Sequence, residues 1–474
     1  MADRLTAPTG VVHRPERTPR PLKARLYAMM FLQYFVQGAY LPVISAYVQN
    51  TLKFDAARVG YFNSALALGP LLAPLFVGQL VDRHLATDRV LAAFHFACGL
   101  LMLALYLLSG FWAVLLVATV YSTLYVPSIM LTNSLAFQHL RDRDAEFPAV
   151  RVWGTLGFIV PAWIIELWLL QGLKGDALDT ARGVILLVSG IGSLVMAAYC
   201  LTLPATPPPR REATDLAPGK VVGLMRLPSF RTLVLVSFVV AMAHQFFFTW
   251  NSPYLVSMLR RGGVGDAWEQ RIASIGQIFE IVVMLALAAA LRNFGFKKVL
   301  LLGAFAYFAR CVILGGAAAW EGPFPAVMTI VGIGEALHGL CFGCFIAVAF
   351  MYVDRVAPRD ARGSMQNLYG VFVLGSGFVI GGLLSGGVGE VFSSDPDAPT
   401  LRARYGIEST AGLATVQVER DDELVEVVRD WPGIWFSGAI VAAIAVAGLA
   451  AAFPRDPPRE AGPAPVAGPV LPSA

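Results

Sequence analysis

The sequence predicts an all-α polytopic membrane protein, with twelve transmembrane helices in two bundles of six. Three observations carry this expectation. The 474 residues are 57% hydrophobic and only 14% charged, too little charge to cover the surface of a soluble domain. Twelve apolar runs approach or exceed the roughly 20 residues that a spanning helix needs. A charged, proline-rich segment, LPATPPPRREATDLAPGKVVGLMRLPSF, divides those runs six and six.

In chain order the spans are expected at 27–49, 58–81, 89–108, 111–138, 150–172, 182–203, 230–256, 267–291, 297–317, 325–353, 363–388 and 433–453. Internal breakers such as Pro70 and Pro74 are tolerated in membrane helices. No strand alternation competes with this reading. The organisation is therefore an arm (1–26), an N-terminal bundle (27–203), a linker (204–229), a C-terminal bundle (230–453) and a tail (454–474). The C-terminal bundle carries one long loop, 389–432, rich in Asp and Glu such as Asp421, Asp422 and Glu423. It is expected to be solvated, with weak guarding of a cavity mouth as the alternative.

Lys and Arg set the orientation. The arm carries Arg4, Arg14, Arg17, Arg20, Lys23 and Arg25, and the linker carries Arg210, Arg211, Lys220 and Arg226. The turns at 109–110 and 318–324 carry none. Arm and linker are thus expected in the cytoplasm, and an even number of spans returns the C-terminus there. The arm lacks a cleavage-type end and reads as a retained cytoplasmic segment rather than a signal peptide. The five cysteines all lie in apolar runs, as small buried hydrophobes do, which argues against a disulfide framework. A net charge of +4 gives no reason to invoke nucleic acid.

Ionisable and amide groups at membrane depth are costly, so each is a functional candidate. Arg151, Thr155 and Phe158 follow one another at i, i+4 and i+7 and share a helix face. Gln277 and Glu280 stand at i and i+3 in span eight, and His244 and Gln245 in span seven. Arg310 and Glu335 are expected to pair for stability between spans nine and ten, and Glu166 to be wet at its helix end. His95 and His244 read as packing residues. His338, Cys341 and Cys344 have the spacing of metal ligands but no fourth partner, so no metal and no cofactor is expected. His338 is better placed as a hydrogen-bonding cavity residue.

Gly78, Asp82 and Arg83, in GQLVDR, resemble the signature loop of the major facilitator superfamily, although His84-Leu85-Ala86 replaces its usual x-Gly-Arg. More specifically, FPAVRVWGTLGF (147–158), SIGQIFE (274–280), FGFKKVL (294–300) and TLKFD (51–55) resemble the bacterial nucleoside:proton symporters of that superfamily. The resemblance implies proton-coupled nucleoside uptake by alternating access, by a monomer in the cytoplasmic (inner) membrane of a bacterium. It also implies a central cavity lined by Arg151, Thr155, Phe158, Gln245, Gln277, Glu280, His338 and Phe342. In the superfamily arrangement spans five and eight meet, so Arg151 and Glu280 are expected to pair or share a cavity. Glu280 is the expected protonation switch, tuned by Arg151. Phe158 or Phe342 offers a face for a base, and the polar groups offer hydrogen bonds to base and ribose.

The sequence departs from the family in two places. Gly343 stands where the family has an aspartate that holds ribose hydroxyls, and Phe248 stands near an asparagine position, with Asn251 close by. Losing that carboxylate removes a charge-assisted contact, so a sugar or another small polar solute is the alternative cargo. A non-transporting sensor of the same fold is a further alternative. An embedded enzyme is disfavoured, because no nucleophile–base pair or paired carboxylate stands at one depth.

Overall fold

The computed structural model describes residues 17–83, 86–207, 225–264, 267–357, 365, 369–395 and 415–454. Twelve long helices are present among the described residues. The N-terminal six are α1 (Arg20–Tyr40), α2 (Ala56–Arg83), α3 (Thr87–Leu107), α4 (Phe111–His139), α5 (Arg143–Ile164) and α6 (Val184–Cys200). The C-terminal six begin with α7 (Pro228–Arg261). One helical run, Glu269–Ala319, follows and bends at Gly295, whose φ of 74° lies in the left-handed region that a side chain disfavours. That bend divides it into α8 (269–294) and α9 (296–319), matching expected spans eight and nine. The last three are α10 (Phe324–Val356), α11 (Tyr369–Val391) and α12 (Trp431–Ala452). Proline occupies the first turn of α1, α7, α10 and α12, where its missing N–H leaves no intrahelical bond unmade.

Lipid offers no hydrophobic drive between helices, so close packing must come from small residues. The α1–α5 contact shows this. A Cβ on Gly38 would lie 2.1 Å from the carbonyl oxygen of Phe158, and one on Gly157 would lie 2.2 Å from that of Phe31. The two backbones touch, which fixes the face of α5 that bears Arg151, Thr155 and Phe158. Deeper in this bundle Gln33 binds Ser128 and Thr132 at 2.8 Å, and His95 sits between Gln33 (2.9 Å) and Ser193 (3.1 Å).

The long loop corrects the expectation that no strand competes. Three strands, β1 (Ser393–Ser394), β2 (Thr415–Arg420) and β3 (Glu423–Arg429), form a sheet in the order β1-β3-β2. β2 and β3 are a hairpin closed by Asp421 and Asp422, both at positive φ (50° and 64°), as a two-residue hairpin turn of primed type requires. Val416, Val418 and Val427 face inward, giving the period-two burial of a half-covered strand.

The hairpin lies at the end of the bundles opposite the start of α1 and the end of α12, and this hairpin face is sealed by contacts between bundles. Glu419 N donates to the Lys53 carbonyl at 2.7 Å, and the Glu419 carboxylate lies 3.5 Å from Arg58. Arg420 pairs with Glu390. Arg429, 4% exposed, donates to Gln49 Oε1 at 2.9 Å, bonds Ser393 and lies over the Trp250 ring. Burial lowers the Arg429 guanidinium to about 10, which leaves it a cation at neutral pH. Nearby, Arg260 of α7 grips both carboxylate oxygens of Asp179 at 2.7 Å, and Arg182 bridges Asp179 and Glu269.

Glu166 overturns its expectation. It is 2% exposed and accepts from the backbone N–H groups of Gln270 and Arg271 and from Arg271 Nε at 2.6, 3.1 and 2.9 Å. Those N–H groups open α8, where a carboxylate is favoured by the unpaired amides and the helix dipole. Glu166 is therefore a clasp between the bundles rather than a wet end residue.

Candidate transport cavity between the bundles

The α5 face predicted from spacing exists, with Arg151, Thr155 and Phe158 all half-buried. The Arg151 guanidinium stacks 4.2 Å from the Tyr34 ring of α1, a cation–π contact that the sequence reading missed. Gly154 makes room for it, since a Cβ there would lie 2.5 Å from Arg151 Nη1. That same Nη1 is buried without a hydrogen-bond partner among the described residues. Glu280, across the bundle boundary on α8, lies within electrostatic reach of both Arg151 and Tyr34. No ion pair within 4.0 Å joins Arg151 and Glu280 among the described residues, so they share a neighbourhood without closing a salt bridge.

A cavity opens beside this group. Its walls are Pro42 and Phe158 from the N-terminal bundle and Phe247, Phe248, Asn251, Ala273, Gln277, Arg310, Glu335 and His338 from the C-terminal bundle. Here it is narrow, about 10 Å³, with room for about one water. Of the eight expected lining residues, Phe158, Gln277 and His338 meet in this wall. Arg151, Thr155, Gln245, Glu280 and Phe342 stand outside it. Gln245 turns its Cβ toward Gly381 of α11, and Phe342 packs against the core of the C-terminal bundle. Gly78, Asp82 and Arg83 end α2, with side chains outside the described residues.

The cavity also contains residues that sequence reasoning assigned to structure. Arg310 and Glu335 do pair, at 3.4 Å, yet both line the cavity. Arg310 Nη1 lies 3.1 Å from His338 Nδ1. Arginine can only donate, so Nδ1 accepts and His338 carries its proton on Nε2. The guanidinium carbon sits 3.0 Å from the centre of the Phe247 ring. Asn251 donates to Glu335 Oε2 at 3.4 Å. His244 completes the surroundings through Tyr307, at 2.7 Å. The signal for Arg310 and Glu335 was present as charge at membrane depth, but their spacing said nothing about which surface they faced.

Gly343, which is not among the residues lining this cavity, leaves no empty space beside it. A Cβ there would lie 2.7 Å from Val283 Cγ1 and 3.7 Å from the Met284 sulfur. α8 closes over the position at which an aspartate is expected from the resemblance alone.

A profile of the family described as "Nucleoside H+ symporter" matches residues 21–457. The chain belongs to the nucleoside H+ symporter family. Its membership makes it a transporter rather than an enzyme, as the residue chemistry suggested. Among its relatives, the putative nucleoside transporter YegT of Escherichia coli (strain K12) is 31% identical over 373 residues, covering 77% of this chain and 83% of that protein. The xanthosine permease of the same organism is 28% identical over 387 residues, covering 78% and 88%. A crystal structure of the nucleoside transporter NupG superposes with a TM-score of 0.74 at 22% identity, covering 91% of this chain and 99% of that one. That likeness shows the major facilitator fold expected from the signature loop.

Proposed function

We propose that this family member carries nucleosides together with protons across the cytoplasmic (inner) membrane of a bacterium, as a monomer with both termini in the cytoplasm. The single observation that carries this reading is the cavity at the bundle boundary, where aromatic faces (Phe158, Phe247, Phe248) and polar groups (Asn251, Gln277, His338) converge. A nucleoside asks for that combination, a flat apolar face for the base and hydrogen-bonding groups around it. The nucleoside relatives YegT and xanthosine permease support it.

With the termini in the cytoplasm, the hairpin face is the periplasmic one, and the narrow cavity widens for cargo as the bundles part. Alternating access then consists of the two bundles rocking about the midplane. Arg151, Thr155, Phe158, Gln245, Gln277, Glu280, His338 and Phe342 form the cargo path in this reading. Glu280 takes and releases the coupled proton, with the Arg151 charge biasing that exchange as the surroundings change. The test is uptake of labelled uridine and adenosine in cells lacking their own nucleoside transport, with and without an uncoupler. Uptake that the uncoupler abolishes, and that Glu280→Gln renders insensitive to the proton gradient, is expected. Absence of uptake of either compound would overturn the nucleoside reading and leave the fold intact.

A further inference from the structure

The C-terminal wall of the cavity has more hydrogen-bonding capacity than its own contacts use. Glu335 and Arg310 are each 1% exposed and Asn251 is 4% exposed. Glu335 Oε2 serves two neighbours, accepting from Arg310 Nη2 and Asn251 Nδ2 at 3.4 Å. Glu335 Oε1, Asn251 Oδ1 and Arg310 Nε are all buried without a partner among the described residues. Native interiors leave few such groups, and each has an unfavourable desolvation cost. Here three fall on adjoining residues that line one cavity. A pair kept for stability alone would be better served by satisfied bonds or by apolar packing.

The unused atoms are two acceptors and one donor. Their complement is a ligand edge with two donors, at least one of which also accepts. Two adjacent sugar hydroxyls meet this condition, since each donates once and keeps lone pairs free. A uracil edge does not, because it offers one N–H between two carbonyls. The hydroxyl-to-carboxylate bond is the strong, charge-assisted kind. His338 Nδ1 holds the guanidinium from behind through Nη1.

We propose that Glu335, Asn251 and Arg310 form the pentose subsite of this transporter, with Glu335 as the residue that selects for sugar hydroxyls. The proposal rests on the nucleoside reading above. It places the sugar-binding carboxylate on α10 about two turns before Gly343, on the same helix that lacks the aspartate. The sugar enters as the bundles part, because the cavity is too narrow for it in the sealed state.

The test is equilibrium binding to the purified full-length protein in nanodiscs, with labelled uridine displaced by uridine, 2′,3′-dideoxyuridine, guanosine and inosine. The wild type is expected to bind uridine about 10- to 100-fold more tightly than dideoxyuridine, the range of a charged hydrogen bond. Glu335→Gln should bring that ratio below about 3 by weakening uridine alone. Its retained dideoxyuridine affinity shows that the variant is folded. Asn251→Ala should narrow the ratio in the same direction, and it carries the test should Glu335→Gln fail to fold. A wild type without preference, or variants that keep the wild-type ratio, would overturn the subsite while uridine binding keeps the nucleoside reading. A Glu335→Gln protein that loses discrimination between guanosine and inosine, but not between uridine and dideoxyuridine, would assign these groups to a base edge and likewise overturn it. No nucleoside binding by the wild type would remove both readings together.

Discussion

Arg260 on α7 holds both carboxylate oxygens of Asp179 at 2.7 Å, joining the two bundles at the hairpin face. Asp179 also holds the buried Arg182, which reaches on to Glu269, so one carboxylate organises a chain of four charges. Asp179→Asn should leave Arg182 short of a partner and disfavour the sealed state by about 1–3 kcal/mol. Spin labels at Asp176 and Gly263, on either side of the clasp, check this. The variant should gain a longer-distance population that the wild type lacks. An unchanged distance distribution would mean that the clasp does not hold the face shut.

The hairpin should respond to its buried cation. Arg429 is held by Gln49 of the N-terminal bundle and Ser393 of its own sheet. Arg429→Gln should release those contacts and speed amide exchange in β2 and β3 about tenfold, the equivalent of one hydrogen bond of about 1.4 kcal/mol. Exchange in α1 to α6 should not change. Hydrogen–deuterium exchange mass spectrometry reads both regions in one sample.

Burial places the Arg429 guanidinium at about 10, below its value in the unfolded chain. For a base whose folded pKa is depressed, folding carries the desolvation cost of the charged form below that value. The cost is constant through neutrality and is relieved only as pH rises through about 10. The exchange rate of β2–β3 is therefore expected to be independent of the Arg429 titration between pH 6 and 8.5, after correction for intrinsic exchange. A transition in that window absent from Arg429→Gln would contradict this.

The Arg151–Tyr34 contact separates ring from hydroxyl. Tyr34→Phe keeps the face under the guanidinium, whereas Tyr34→Leu removes a contact of about 0.5–2 kcal/mol. Uridine uptake should stay near wild type for Phe and fall about 2- to 30-fold for Leu. Equal losses in the two variants would show that the phenol, not the ring, is what matters.

Gly343 gives a packing prediction. Gly343→Asp should lower yield and stability in detergent by about 1–3 kcal/mol, the cost of overpacking a close contact, because the new side chain meets Val283. The pair Gly343→Asp with Val283→Ala should recover most of it. Thermal unfolding of the purified variants measures both.

Much of the fold was legible because its signals are long and redundant. Twelve apolar runs survive errors of several residues. The hairpin was not, since V-Q-V-E-R-D-D-E-L-V-E-V-V carries its period of two over only six or seven residues per strand within an otherwise charged loop. The site was half legible. Spacing along α5 placed Arg151, Thr155 and Phe158 on one face, because that depends on one helix alone. Whether Glu335 faced Arg310, lipid or the cavity depended on how α9 and α10 rotate against each other, which no single span records. Glu166 was misread for the same reason, as its partners lie on the opposite bundle.

The contact between Gly343 and Val283 couples what the two positions can hold. Val283 of the neighbouring helix occupies the space over position 343 and leaves none for a side chain there. An aspartate cannot enter at 343 by a single substitution without meeting that valine. A side chain at 343 therefore requires a smaller residue at 283, whereas a smaller residue at 283 requires nothing of 343.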